Sequence, residues 1–143
     1  MTVARILREK GRDVATTQPH RTLKEAAEQL AAKGIGAIVV SDPSRRVLGI
    51  LSERDVVRAV AHGGAEALAD PVSRHMTARV TTVDESATVD DVMETMTNGR
   101  FRHLPVVENE VLVGIVSIGD IVKRRLGELN HEREALKQYI ASA

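Results

Sequence analysis

Two serine and aspartate pairs hold the chemistry this chain is equipped to do. Gly49-Ile50-Leu51-Ser52-Glu53-Arg54-Asp55 and Gly114-Ile115-Val116-Ser117-Ile118-Gly119-Asp120 share the pattern Gly-Ile-x-Ser-x-x-Asp. In each copy an aliphatic stretch runs into the serine and residues at helical spacing follow: Val56, Val57 and Val60 after the first, Ile121, Val122, Arg125 and Leu126 after the second. A serine at a helix N-cap accepts a backbone N–H, while an acid three residues on answers the cap's own N–H. The same helix start, just past a strand's carboxyl end, turns N–H groups and the positive end of the dipole outward, where a phosphate fits. An aspartate beside it can accept hydrogen bonds from the two hydroxyls of a ribose. The pattern supports a cap alone, or a cap that also holds a nucleotide.

A second constellation, Arg100-Phe101-Arg102-His103, leads into the apolar run Leu104-Pro105-Val106-Val107. Extended backbone sends alternate side chains to opposite faces, so Arg100 and Arg102 share one face and Phe101 and His103 the other. Two guanidinium groups on one face suit a phosphate, and they also suit solvent. The matching stretch of the first half, Gly34-Ile35-Gly36-Ala37, carries no base, and Glu53-Arg54 stands where the second copy has Ile118-Gly119. Two sites built this way are expected to differ, with the second unit, and Asp120 in it, the better supported.

Other chemistries find little support. His20, His62, His75 and His131 are scattered without metal-ligand spacing. Ile50 and Ile115 occupy the position where a hydrolase nucleophile elbow needs glycine, and no carboxylates pair as acid and base. A binding protein with no catalytic residue, catalytic cofactor or metal is expected. There is no cysteine for disulfides, iron–sulfur clusters or thiol catalysis. The 20 basic and 20 acidic side chains cancel, so no field draws the chain onto nucleic acid or an acidic membrane. Lys123-Arg124-Arg125 reads as a solvated helix face. With Phe101 and Tyr139 the only aromatic residues, a base would lie among Val, Ile and Ala side chains rather than on a stacking platform. No apolar run approaches a membrane span, and a soluble cytoplasmic protein is expected.

The elements that must position these residues come in two rounds. A lead-in helix fills 1–11, with Val3, Ile6 and Leu7 on one face and Gly11 as its stop. The first round, 12–64, reads strand at 14–17, then a helix opened by Thr22 with Glu25 at the capping-box position and Leu23, Ala26, Ala27 and Leu30 as its buried stripe. Gly34 ends that helix, strands follow at 37–40 and 47–51 around the turn Asp42-Pro43-Ser44, and a helix runs from Ser52 to Gly63-Gly64. A linker, 65–78, carries a short helix over 72–76 started by Asp70-Pro71. The second round, 79–126, repeats the first: Val80-Thr81-Thr82-Val83 echoes Val14-Ala15-Thr16-Thr17, and Leu104-Pro105-Val106 echoes Ile38-Val39-Val40. Thr22 recurs as Thr88, 66 residues on, and Ser52 as Ser117, 65 on, because the hairpin turn is one residue shorter in the second round. Gly127 is expected to punctuate that round, with 127–143 adding an amphipathic helix that packs on its own subunit or on a twin. An α/β (α+β) fold follows: two β-α-β-β-α units, each too small to bury a good core alone, packed with pseudo-twofold symmetry.

Residues 2–126 resemble a known family, the tandem cystathionine-beta-synthase (CBS) domains or Bateman module, in its small stand-alone bacterial form. The marks are the doubled Gly-Ile-x-Ser-x-x-Asp, the strand Arg102-His103-Leu104-Pro105-Val106-Val107, and Thr22 and Thr88 opening the first helix of each unit. The resemblance implies a non-catalytic cleft between the repeats that binds adenine nucleotides, AMP, ATP or NAD(H), at two related positions and senses energy or redox state. It implies Asp55 and Asp120 for ribose, Ser52 and Ser117 for phosphate, and Ile35, Gly36, Ala37, Phe101, Arg102 and His103 around the base. Thr17, Arg54, Val83, Arg100, Pro105, Ile118 and Gly119 complete the expected nucleotide-binding set. A homodimer and an unidentified regulated enzyme are the implied partners. Two alternatives stand beside this: a module that docks on an enzyme or transporter with Ser-x-x-Asp serving only as caps, and a site for S-adenosylmethionine, which needs no phosphate clamp.

Overall fold

Caps and aliphatic runs place most elements where the pattern asks for them. The computed structural model describes residues 1–142. In chain order these are α1 (Val3–Lys10), β1 (Thr16–Thr17), α2 (Leu23–Lys33), β2 (Ala37–Ser41), β3 (Val47–Ser52), α3 (Glu53–Gly63), a 3-10 turn (Gly64–Ala69), α4 (Val72–His75), α5 (Val89–Gly99), β4 (His103–Glu108), β5 (Val111–Ser117) and α6 (Ile118–Ser142). Helix and strand are mixed as expected. The Thr88 hydroxyl accepts from the Asp91 N–H (3.0 Å) while the Asp91 carboxylate accepts from the Thr88 N–H (3.1 Å), a complete capping box. Thr22 accepts from the Glu25 N–H (3.2 Å), but the Glu25 carboxylate turns to Arg21 (3.4 Å) instead of closing the box.

β1 lies parallel to β2, β2 antiparallel to β3, and β4 and β5 form a separate antiparallel ribbon. The strand expected over 80–83 is reduced to one parallel bridge, Val83 with Val106, which repeats the Thr17–Val40 pairing of the first sheet. The cause is Pro105. In the first repeat the Val39 N–H donates to the Ala15 carbonyl (3.1 Å) and extends the pairing. Its counterpart Pro105 has no N–H to donate, so the ladder stops after one rung.

The two cores are built by exchange. Val3, Ile6 and Leu7 of α1 are buried with Val89, Val92, Met96, Leu104, Val106, Val116 and Ile121, all from the second repeat. Val72 of α4 is buried with Leu23, Ala26, Leu30, Ile38, Val40, Leu51 and Ala59 of the first. Thr2, ahead of α1, bridges Thr88, and Pro71, ahead of α4, bridges Thr22. The lead-in helix and the linker helix are therefore counterparts, each completing the core of the repeat that does not follow it. The motif glycines explain themselves here: a Cβ on Gly49 would lie 2.7 Å from the Met76 sulfur and the Thr77 carbonyl, and one on Gly114 2.7 Å from the Leu7 methyls. Only glycine lets the exchanged helix cross the strand so closely.

At the C-terminus the expected break at Gly127 does not occur, and α6 continues from Ile118 to Ser142. A single helix-interior glycine costs only about 1 kcal/mol, which Arg124, Arg125, Leu126, Glu128 and Leu129, all good helix formers, absorb. Leu129, Leu136, Tyr139 and Ile140 remain more than half exposed, so the far end of α6 does not pack on its own subunit.

Candidate functional site

Two cavities open between the repeats, related by the same pseudo-symmetry that relates the strands. The first, about 380 Å³, is walled by Gly36, Ala37, Ile50, Ser52 and Asp55 of the first repeat, by Thr77 and Val80, and by Arg100, Phe101, Arg102 and His103 of the second. The second, about 460 Å³, has Ile115 and Ser117 where the first has Ile50 and Ser52, and Val14 where the first has Val80; Ile35 lies in its wall. Gly36, Ala37 and His103 line both. A Cβ on Gly36 would sit 3.6 Å from the His103 ring, so the repeats meet at this shared wall.

Each serine stands where the last strand of its repeat becomes a helix. In the first repeat the Ser52 hydroxyl accepts from the Asp55 N–H (3.4 Å), and Asp55 Oδ2 accepts from both the Ser52 N–H (2.8 Å) and the Ser52 hydroxyl (3.1 Å). Capping uses one carboxylate oxygen only; Oδ1 accepts nothing among the described residues. A cap and a ligand contact are thus compatible in one side chain. The Glu53 N–H donates to the Gly36 carbonyl (3.0 Å), as the Ile118 N–H does to Arg102 (2.8 Å). With the amides of residues 53 and 55 and the Ser52 hydroxyl engaged, the start of α3 has little left to offer an anion.

Positive charge is supplied instead by Arg54, Arg58, Arg100 and Arg102, all on the first cavity, against Glu53 and Asp55. Arg100 sits in left-handed backbone (φ 57, ψ 35) as the C-cap of α5, where its counterpart Gly34 adopts φ 61, ψ 38 to cap α2. That conformation costs a non-glycine residue about 1–2 kcal/mol. Burial pushes the His103 imidazole below its ordinary pKa; Lys10 adds to this, Asp120 opposes it, Arg102 adds and Glu53 opposes, so the ring stays neutral at neutral pH.

The second repeat treats its aspartate differently. Asp120 Oδ2 accepts from the Ser117 N–H (2.8 Å), the Ser117 hydroxyl (3.0 Å) and the Lys10 ammonium (2.7 Å). Burial raises the Asp120 pKa, but Lys10 and the Ser117 amide and hydroxyl outweigh it and hold the carboxyl below the ordinary range. Asp120 lines an outer groove with Ile6, Lys10, Lys123 and Gly127 and does not line the second cavity, whereas Lys10 lines both.

Of the residues singled out from sequence, the first cavity gathers Gly36, Ala37, Ser52, Arg54, Asp55, Arg100, Phe101, Arg102 and His103. Thr17 is buried in β1 beside a separate polar hollow with Gln18, Arg21 and Ser41. Val83 and Pro105 lie in the second repeat's strand layer, and Ile118 and Gly119 on the exposed first turn of α6; none of the four lines either cavity. Sequence reasoning missed Thr77, Val80, Arg58 and Lys10. Val80 was signalled by its echo of Val14, and Arg58 by falling one turn after Asp55. Nothing local pointed to Lys10. A larger groove, about 590 Å³, runs along α3 with His62, Arg74 and His75 and shares Asp55 and Arg58 with the first cavity. Among the described residues no cluster of three or more His, Cys, Asp or Glu is placed to hold a metal, and no helix is long and apolar enough to cross a membrane.

The family model described as CBS domain matches residues 3–62 and 72–127. A CBS-domain containing protein from Agrobacterium tumefaciens is 51% identical, with a TM-score of 0.83 over 87% of this chain and 99% of that one. A CBS domain protein from Pyrobaculum aerophilum, solved as a complex with AMP, is 30% identical, with a TM-score of 0.75 over 84% of this chain and 89% of that one. The CBS domain pair of protein MJ0100, solved with 5′-methylthioadenosine and S-adenosyl-L-methionine, is 26% identical, with a TM-score of 0.80 over 90% of this chain and 98% of that one.

Proposed function

The chain belongs to the CBS domain family, as a pair of repeats, and on that premise we propose that it is a non-catalytic regulatory module that binds an adenine nucleotide, AMP foremost, in the first cavity. One observation carries the reading: a carboxylate with an oxygen to spare, the aliphatic walls Ile50 and Val80, and four arginines converge on a single hollow of about 380 Å³. Asp55 accepts from the ribose hydroxyls, the base lies against Ile50, Val80 and the Gly36–Ala37 backbone, and the phosphate is held by the arginines rather than by Ser52. That the Pyrobaculum relative was solved as a complex with AMP supports an adenine nucleotide as the ligand. S-adenosylmethionine, the ligand of the MJ0100 pair, is the weaker candidate, because its sulfonium cation would meet four guanidinium groups. ATP and NAD(H) share the adenosine contacts and extend the anionic part toward the same arginines.

AMP at about a hundred times its Kd is expected to stabilise the fold by about 2.7 kcal/mol, raising the melting temperature by several degrees. An unchanged melting temperature with AMP, ATP and NAD(H) would turn the reading to a docking module in which the Ser-x-x-Asp pairs are caps only. A homodimer belongs to the same proposal: Val57 on α3 and Val122 on α6 hold matching positions in the two repeats and are 66% and 51% exposed. A native mass spectrum of the same sample reports the assembly.

The strained Arg100 makes a further test. Arg100→Gly relieves the left-handed backbone and is expected to stabilise the ligand-free fold by about 0.5–1 kcal/mol while weakening AMP binding. A melt and a titration read the two opposed effects; weaker folding would refute the strain at Arg100, and AMP binding at full strength would remove Arg100 from the phosphate clamp.

A further inference from the structure

We propose that Lys10 is a lock on the second cavity, closing it to a ribose and leaving the protein with one adenosine site per chain. The proposal rests on the reading of Asp55 as the ribose acceptor. It starts from a difference between the exchanged helices. Leu7 on Gly114 corresponds to Met76 on Gly49, so α1 and α4 align through those residues. From Met76 the chain reaches Val80 in four residues, but from Leu7 it needs seven to reach the equivalent Val14. The extra three, Arg8, Glu9 and Lys10, add the last turn of α1, which has no counterpart in α4.

That turn ends at the second ribose carboxylate. Lys10 Nζ donates to Asp120 Oδ2 (2.7 Å) and to the Ile115 carbonyl (3.0 Å). At the corresponding place in the first repeat, the Ile50 carbonyl is taken by the Thr77 N–H (2.9 Å), and among the described residues no cation bonds to Asp55. The ammonium stands between Asp120 and the hollow: Lys10 lines the second cavity, Asp120 does not, and Asp55 lines the first. Asp120 Oδ1 accepts nothing among the described residues, as at Asp55, but the ammonium on Oδ2 lies on the side of the second cavity, so a diol entering from there must displace a partly buried ion pair, an unfavourable trade. The two contacts fasten the end of the lead helix to β5 at Ile115 and to the start of α6 at Asp120, so the lock is held in place by the fold.

The test is the number of adenosine molecules bound per chain, measured by equilibrium dialysis on the full-length protein. Adenosine presents the diol without a phosphate, so the arginines of the first cavity confer no advantage. The parent is expected to bind one, Lys10→Met two, and Lys10→Arg, which restores the cation, one again. Circular dichroism melts confirm that each variant is folded at the temperature used. One per chain in both the parent and Lys10→Met, or two in both, overturns the lock and leaves the AMP site standing, as does AMP binding with no adenosine bound by any variant. Neither adenosine nor AMP bound by any of the three overturns the lock and the proposed function together.

Discussion

Replacing Asp55 with alanine is expected to weaken AMP binding about ten- to hundredfold, because the ribose hydroxyls lose their acceptor in a partly buried cavity, a loss of about 1–3 kcal/mol. Isothermal titration reads the change. Asp55 also closes the capping box of α3, so alanine costs fold stability as well, and the comparison needs a variant that separates the two. Asp55→Asn keeps an oxygen for the Ser52 N–H but loses the charge; it is expected to fold and still bind AMP weakly. At Asp120, whose carboxylate is engaged by Lys10, alanine is expected to leave AMP affinity unchanged. Equal losses at the two aspartates, or none at Asp55, would refute the assignment of the first cavity.

The largest effect on stability is expected at Leu7. It is fully buried, and its side chain fills the space over Gly114 left by the missing Cβ. Truncation to alanine removes the buried methyls and leaves a cavity, at a cost of about 2–5 kcal/mol. For a chain of this size that lowers the melting temperature by roughly 10 °C. The location of the damage matters more than its size. Although Leu7 precedes the first repeat in sequence, its neighbours are in the second, so native-state hydrogen exchange should quicken first in α5, β4 and β5. Faster exchange confined to α2 and β2 would contradict the exchange of lead helices.

Much of this architecture is legible without coordinates. Thr22, Ser52, Thr88 and Ser117 announce helix starts because capping is a local interaction, written within four residues. The doubling of Gly-Ile-x-Ser-x-x-Asp places two related sites at two equivalent strand ends. What is not legible depends on partners distant in sequence. The apolar face of Val3, Ile6 and Leu7 declares that α1 is buried, but periodicity does not say against which repeat. Lys10 falls out of sight for the same reason, since its partner Asp120 lies 110 residues away. At Val80–Val83 the strand pattern is sound, and the pairing fails through the missing N–H of Pro105 on the neighbouring strand. Gly127 errs the other way: its local signal is real, and the helix formers around it outweigh it.

The crossing of the lead helices also sets the order in which this chain can mature on the ribosome. The first helix leaves the exit tunnel with its apolar face bare and waits until Leu104, Val116 and Ile121 have been translated, on the order of ten seconds at about 5–20 residues per second. During that wait the helix behind Pro71 can already close the first core, so the nascent chain carries one finished half and one unsatisfied amphipathic segment. A chain cut short before the second repeat would therefore keep a sound first core and carry a lead helix whose apolar face has nothing to cover it.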